Sequence, residues 1–319
     1  MRTITVALGE KTYNIEIAAG LLDQIGAKAR VLSQAVKAAI ISDSNVDPLY
    51  GERLERSLAA SEFEVTRIVF AAGEQSKNLT VLGQVYDELA RAGLTRSDLI
   101  LTLGGGVPGD LGGFAAATFL RGIDFIQVPT SLLAQIDSSV GGKVAIDLPS
   151  GKNLAGSFYQ PKAVFIDPDL LKTLPLRFLH DGLAEAIKYG CIRDAGLFAQ
   201  IAAVKSDQEL LEQADIIIET CCNIKARIVE KDEFDTGERM LLNFGHTIGH
   251  AIEKCCGFTT YTHGEGVGIG MVQMTRQTEK LGLTAAGTAE ELSRVLKKFA
   301  LPVSAVFDAQ EILQAMVLD

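Results

Sequence analysis

The chain has 319 residues, 47% of them hydrophobic, and a formal net charge of −10. That length suits two domains or one large one with a sizeable core. The acidic balance argues against nonspecific nucleic-acid binding, which needs a basic surface, but not against a small anionic substrate held by a local Lys/Arg cluster.

In chain order, "TITVAL" and "YNIEIA" alternate as a β-hairpin does, and the start lacks the apolar block of a signal peptide. "KAAIISD" is a short apolar run ending at Asp43, and "EVTRIVFAAGE" is another. "LTVLGQVYDELARAGL" has helical spacing. "DLILTLGGG" is continuously apolar, as in a parallel sheet buried on both faces. "IDFIQVPTS" and "AVFIDP" add two more strands. This alternation predicts an α/β domain over residues 1–169 with right-handed crossovers. Over residues 170–319 helical periodicities replace the β-branched runs, as in "LAEAIKYGCI", "ELLEQADIIIETCCNIKARIVE", "EGVGIGMVQMTRQTEKLG" and "AEELSRVLKKFA". "RMLLNFGHTIGHAIEKCC" is read as one further helix. An all-helical second domain is expected, with the active site in the cleft between the halves. There is no run of about 18 apolar residues, so no membrane span is expected. Four of the five cysteines form adjacent pairs, Cys221-Cys222 and Cys255-Cys256, without C-x-x-C spacing. They read as reduced, mostly buried thiols of a cytosolic protein.

Gly104, Gly106 and Gly109 fit G-x-G-x-x-G between a buried strand and a helix. Such glycines let the backbone approach a pyrophosphate at a helix N-terminus; tight packing alone is the plain alternative. Several strands precede this loop, so the acid that reads a ribose is better sought at Asp43, with Asn45 nearby, unless Asp43 only caps the next helix. Glu74 and Lys77 close another strand and could touch a nucleotide or form a solvated loop. The stretch between the halves carries Asp137, Lys143, Asp147, Lys152 and Asn153 among glycines. Lysines on glycine turns suit a phosphate or carboxylate, and the spacing is not that of Walker A.

Three of the four histidines fall between His246 and His263. His246 and His250 lie one helical turn apart, but Thr247 stands where a zincin protease has its glutamate. Catalytic zinc takes three protein ligands. Two sets are open: His246, His250 and a carboxylate, or His246, His263 and a carboxylate. The carboxylate could be Glu185, Glu253 or Glu265, and Glu185 shares a helical face with Lys188. Packing or capping histidines are the plain alternative.

The motifs "GGGVPGDLGGFAAATFLRG", "QIDSSVGGKVAID", "GKNLAGSF", "GLAEAIKYG", "RMLLNFGHTIGHAIE" and "HGEGVGIGM" occur in order between Gly104 and Met271, within a likeness that runs over residues from about 40 to 275. In these the chain resembles the 3-dehydroquinate synthase family of sugar-phosphate cyclases. The resemblance implies an α/β Rossmann-like NAD-binding domain followed by an all-α metal-binding domain, in a cytoplasmic homodimer. It implies zinc, or cobalt, on Glu185, His246 and His263. It implies catalytic roles for Lys143, Lys152, Lys188 and His250, and substrate binding by Asp137, Asn153, Lys225, Arg239 and Asn243, with Arg121 reaching the neighbouring subunit's site. NAD contacts are implied for Asp43, Asn45, Glu74, Lys77, Gly105, Gly106, Gly109, Asp110, Thr130, Ser131, Lys143, Lys152, Leu170, Lys172 and Thr173. The implied substrate is 3-deoxy-D-arabino-heptulosonate 7-phosphate. The implied route is transient oxidation by NAD, β-elimination of phosphate, re-reduction and intramolecular aldol closure. Pro108 stands where the family usually has an aliphatic residue, and the chain stops at "QAMVLD" where the family continues with a Lys-rich loop. The rival readings are another NAD/zinc sugar-phosphate cyclase, a metal-dependent polyol dehydrogenase and a non-catalytic metal-binding regulator. Lys143, Lys152 and Asn153 as a phosphate clamp argue against the dehydrogenase.

Overall fold

The computed structural model of the chain describes residues 1–256, 260–306 and 309–316. It divides into two compact units, Met1–Leu174 with Ala214–Phe234, and Pro175–Gln213 with Asp235–Asp319.

The first unit is built on a seven-stranded sheet. Its strands are β1 (Arg2–Val6), β2 (Tyr13–Ile17), β3 (Lys37–Asp43), β4 (Glu64–Phe70), β5 (Leu99–Gly104), β6 (Asp124–Pro129) and β9 (Ala163–Ile166), in the order β1-β2-β9-β6-β5-β3-β4. β1 and β2 pair antiparallel, with Arg2 opposite Ile17; every other neighbour is parallel. β5 and β9 are buried at every position, because helices cover both faces and parallel strands need such crossovers. On one face α1 (Ile25–Leu32) and α2 (Glu52–Ala59) bury Ile25, Leu54 and Leu58 against Ile40 and Leu101. On the other, α3 (Leu79–Arg91) and α4 (Gly106–Thr118) bury Leu82, Val85 and Leu111 against Ile41 and Ile100.

The segment expected to present lysines on glycine turns is a second sheet, the antiparallel hairpin β7 (Lys143–Leu148) and β8 (Gly151–Phe158). Its signal was present in "KVAI", where Val144 and Ile146 turn inward into the same core as α4.

In the second unit α5 (Leu176–Ile192), α6 (Ala195–Ala203) and α7 (Asp207–Glu212) come first. The chain then returns to the first unit as α8 (Ala214–Lys231). There Cys222 Sγ donates to Gln135 O at 3.2 Å, and Arg2 donates to Asp215 Oδ2 at 3.0 Å. The single boundary drawn at 169/170 therefore differs from this division: the first unit runs on to Leu174 and reclaims 214–234. Helical periodicity shows which face of α8 is apolar, not which unit that face packs on.

The second unit resumes with α9 (His246–Cys255), α10 (His263–Lys280), α11 (Thr288–Lys298) and α12 (Ala309–Met316). The helix read over 239–256 is broken. Glu238–Asn243 form a 3-10 turn, and Gly245, at φ 83°, separates it from α9. A Cβ at Gly245 would lie 2.6 Å from Met271 Cγ and 2.7 Å from Val267 O, so α10 leaves room only for glycine there. Arg239 and Asn243 thus stand outside the helix that carries His246 and His250. All five cysteines are free, but only Cys221 and Cys222 are buried. The expectation of mostly buried thiols fails for Cys191 and Cys255, which are exposed. Among the described residues no helix is long and apolar enough to cross a membrane.

Candidate functional site

In the first unit the parallel strands all point their C-terminal ends to one edge. The connection from β3 runs to β4 on one side, and β5 returns to the other. Ligands of open α/β sheets bind at such a switch point. Asp43 ends β3 and Gly104 ends β5, each one residue past the Ser42–Leu103 pair. The glycine loop serves two purposes. A Cβ at Gly113 would sit 2.4 Å from Val144 Cγ1, so packing demands that glycine, whereas one at Gly109 would meet only the end of the Gln127 side chain, at 2.9 Å. A Cβ at Gly106 would meet nothing nearer than Ser138 Oγ at 3.6 Å, so packing does not demand glycine there.

Asp43 Oδ1 accepts from the N–H of Asn45 at 2.9 Å and of Val46 at 3.0 Å, capping the turn after β3. Lys77 is buried. Its Nζ donates to Asp110 Oδ2 and to Asn153 Oδ1, each at 2.5 Å, and its carbonyl accepts from Asp147 N at 2.7 Å. Burial alone would lower the Lys77 pKa, but Asp110 and then Glu74 outweigh it and hold it above the ordinary value. Asn153 is left-handed at φ 55°, its N–H on Asp147 Oδ1 at 2.8 Å, and Lys152 Nζ lies 3.5 Å from Glu74 Oε1. One polar network thus joins the start of α4, the loop after β4 and the hairpin. Asp147, noticed in the sequence but given no role, is its hinge.

Other expected residues stand apart from that network. Thr130 N donates to Gly104 O at 2.9 Å, and Ser131 Oγ accepts from Ala134 N at 3.3 Å. Leu170 and Thr173 face Tyr50, whose hydroxyl donates to Leu170 O at 3.1 Å and contacts Thr173 Oγ1. Lys172 is exposed and pairs with Asp169 at 2.7 Å. Lys225, buried on α8, donates to Asp137 Oδ1 at 2.7 Å and to Asp137 O at 2.8 Å. Lys143 opens β7 on its exposed side. Arg121 is exposed, and it and Leu120 are both left-handed, at φ 69° and 52°. Two consecutive non-glycine residues in that region carry real strain.

In the second unit three helices converge. α5 supplies Glu185 and Lys188, both buried and ion-paired. α9 begins at His246 and carries His250; α10 begins at His263. Glu185 Oε1 lies 3.6 Å from His246 Nε2 and 3.4 Å from His263 Nε2. The donor atoms of Glu185, His246 and His263 all fall within 4.8 Å of one another, and so do those of His250, Glu253 and His263. No set of His246, His250 and a carboxylate is present among the described residues. Glu265 is engaged elsewhere, gripping Arg177 through both oxygens at 2.8 Å and closing the capping box of α10. Arg239 is buried; Asn243 is exposed.

Burial, and then the Lys188 ammonium, push His246 down to about 3. Burial works the same way on His263, but Glu185 and Glu253 outweigh it and raise that ring to about 10. One histidine is thus neutral and the other is drawn to two carboxylates, a pocket of anionic and imidazole donors suited to a borderline divalent cation. Asp181 was passed over in the sequence. Its Oδ1 accepts from Gly264 N at 2.5 Å and so fixes the turn that begins with His263. The signal available was its spacing, one helical turn before Glu185 on the same face.

Comparison with known proteins bears on the whole chain. A family model described as 3-dehydroquinate synthase N-terminal matches residues 67–181, and one described as 3-dehydroquinate synthase C-terminal matches residues 182–319. A 3-dehydroquinate synthase of Clostridium acetobutylicum is 54% identical over 302 residues, covering 95% of this chain and 85% of its own. One of Clostridium botulinum is 52% identical over 320 residues, covering 100% and 91%. Among solved structures, 2-deoxy-scyllo-inosose synthase complexed with carbaglucose-6-phosphate, NAD+ and Co2+ superposes with TM-score 0.89 at 26% identity, covering 100% of this chain and 87% of that one. The 2-epi-5-epi-valiolone synthase of Streptomyces hygroscopicus with NAD+ and Zn2+ bound gives 0.88 at 28%, covering 98% and 87%.

Proposed function

We propose a function from the premise that the chain belongs to the 3-dehydroquinate synthase family. It is a lyase-type cyclase that converts 3-deoxy-D-arabino-heptulosonate 7-phosphate to 3-dehydroquinate and phosphate, a step of the shikimate pathway to aromatic amino acids. The observation that carries this is the 54% identity over 95% of the chain, twice that shared with the other cyclases.

NAD and a divalent metal, zinc or cobalt, are the cofactors, as in the two cyclase structures. The residues fit both. Gly105 and Gly106 open the helix N-terminus of α4 at the switch point of the sheet; Asp43 closes the adjacent strand β3 with Asn45 just after it, and Lys77 meets Asp110 on α4. Glu185, His246 and His263 form the ligand set. When bound, NAD supplies transient oxidation and re-reduction, and the metal supplies a Lewis acid.

The chain's own residues bind and hold. Lys143, Lys152, Asn153 and His250 hold the phosphate group, which can itself take up the C6 proton as it leaves. Arg239, a planar five-donor fork, suits the substrate carboxylate, and Lys225, steered by Asp137, suits its hydroxyls. Asn243 adds a neutral polar contact. Burial of His246, and then the ammonium of Lys188 beside Glu185, keep that ring unprotonated. The Lys77 network holds Asn153 and the hairpin in place, so that phosphate contacts and cofactor contacts are set by one group of bonds. The enzyme works in the cytoplasm as a homodimer, with Arg121 extended toward the partner copy. The strained, exposed Leu120–Arg121 backbone supports that reading, and the free thiols suit a reducing compartment.

The test uses the chain loaded with zinc and catalytic NAD, given the heptulosonate phosphate. Phosphate and 3-dehydroquinate should appear in equal amounts with no accumulation of NADH. No phosphate release from the loaded protein, or stoichiometric NADH from a simple polyol, would overturn the reading.

A further inference from the structure

We propose that Glu253 is a positioning residue for His263: it holds the ring at Nδ1 and so aims Nε2 at Glu185 and His246. The proposal rests on the metal reading above. His263 stands between two carboxylates. Its Nε2 lies 3.4 Å from Glu185 Oε1 and its Nδ1 3.6 Å from Glu253 Oε2. A neutral imidazole offers one N–H and one lone pair. With a cation held by Nε2, Glu185 and His246, the remaining anion beside Nδ1 would keep the proton there and leave the lone pair on Nε2. Outer carboxylates commonly fix the tautomer and ring plane of metal-binding histidines in this way.

The local packing puts Glu253 where it can do this. It lies on α9 seven residues after His246, two turns along the same face. It is 3% exposed, and a carboxylate so buried is tolerated only where partners offset its desolvation. α9 and α10 come close where both carry glycine. A Cβ at Gly249 would lie 3.0 Å from Gly266 C; one at Gly266 would lie 3.1 Å from Gly249 O and 3.4 Å from Glu253 Cγ. A Cβ at either position would ask the facing backbone to give by a few tenths of an ångström, so the two glycines keep this approach close.

His250, Glu253 and His263 also bring donor atoms within 4.8 Å, which would make Glu253 a ligand instead. Glu185 argues for the positioning role, because one of its oxygens faces the Nε2 of both His246 and His263 while Glu253 faces the opposite edge of His263.

The deciding measurement is zinc affinity by chelator competition, with Co2+ as a spectroscopic probe, on metal-free protein. The chains compared are wild type, Glu253→Gln, Glu185→Gln and His250→Ala. Glu253→Gln should bind one metal about 10–100-fold more weakly, with a shifted cobalt visible spectrum and an unchanged melting temperature in the metal-free state. Glu185→Gln should lose the metal, and His250→Ala should keep wild-type affinity. Wild-type affinity and spectrum in Glu253→Gln overturn the proposal while leaving the metal reading intact. So does a metal-free melting temperature that falls in Glu253→Gln, which assigns it a merely structural role. Loss of metal in both Glu253→Gln and His250→Ala makes Glu253 a ligand and overturns it too. Retained affinity in Glu185→Gln overturns the ligand set itself, and the proposal with it.

Discussion

The two candidate regions are built on different physics. At the sheet edge of the first unit, the expected cofactor residues sit on strand ends and loops, tied by backbone hydrogen bonds and one buried lysine network. In the second unit, six titratable side chains from three helices crowd together, and the pKa values of two of them, His246 and His263, are driven apart. The contrast teaches that the sheet edge is a site of position, fixed by topology, whereas the helical pocket is a site of charge, fixed by packing. Damage to the first should spread through geometry; damage to the second should be local and chemical.

The sharpest test of this division is Glu185→Gln, or stripping the metal with a chelator. Losing the Lewis acid should cut turnover on the order of 10³-fold. NAD affinity, measured by fluorescence titration, should stay near wild type; a large loss of NAD binding would erase the distinction. Next, Lys77→Met should act on both phosphate and cofactor contacts. It releases Asn153 and leaves Asp110 without its ammonium, lowering stability by up to about 3 kcal/mol in urea unfolding. It should cost as much as about 10²-fold in kcat/KM through misplacement, with metal content unchanged. Third, Gly113→Ala should destabilise by about 1–3 kcal/mol, since its Cβ would press on Val144 of the hairpin. The readout is a lower Tm together with a raised KM for the phosphorylated substrate; a raised metal Kd would contradict the division.

The smallest effect concerns the sheet alone. Asp98 accepts from Lys37 N at 2.9 Å and from Thr95 N at 2.7 Å, tying the starts of β3 and β5. Burial would raise its carboxyl, but those backbone N–H groups outweigh it and hold the pKa below the ordinary value. A carboxylate depressed on folding adds stability that is present above its unfolded value and is lost as pH falls through its folded value. Asp98→Asn should therefore cost about 1 kcal/mol at neutral pH and flatten the acid side of the stability curve. An unchanged acid slope by thermal melts across pH would remove Asp98 from that account.

The sequence by itself determined the strands, because short β-branched apolar runs closed by glycine, proline or aspartate suit a strand buried on both faces better than a helix; β3, β5, β6 and β9 follow from local pattern. It also marked Gly104–Gly109 and the histidine cluster, because those residue types are scarce or conformationally special. Three things waited for the tertiary structure. Gly245 breaks the helix before His246 because α10 presses against it, a contact no local pattern shows. α8 returns to the first unit because an apolar helical face does not name its partner. And the choice among Glu185, Glu253 and Glu265 as neighbours of the histidines lay in side-chain direction and burial, which turn Glu265 to Arg177 and set Glu185 and Glu253 on opposite edges of one ring.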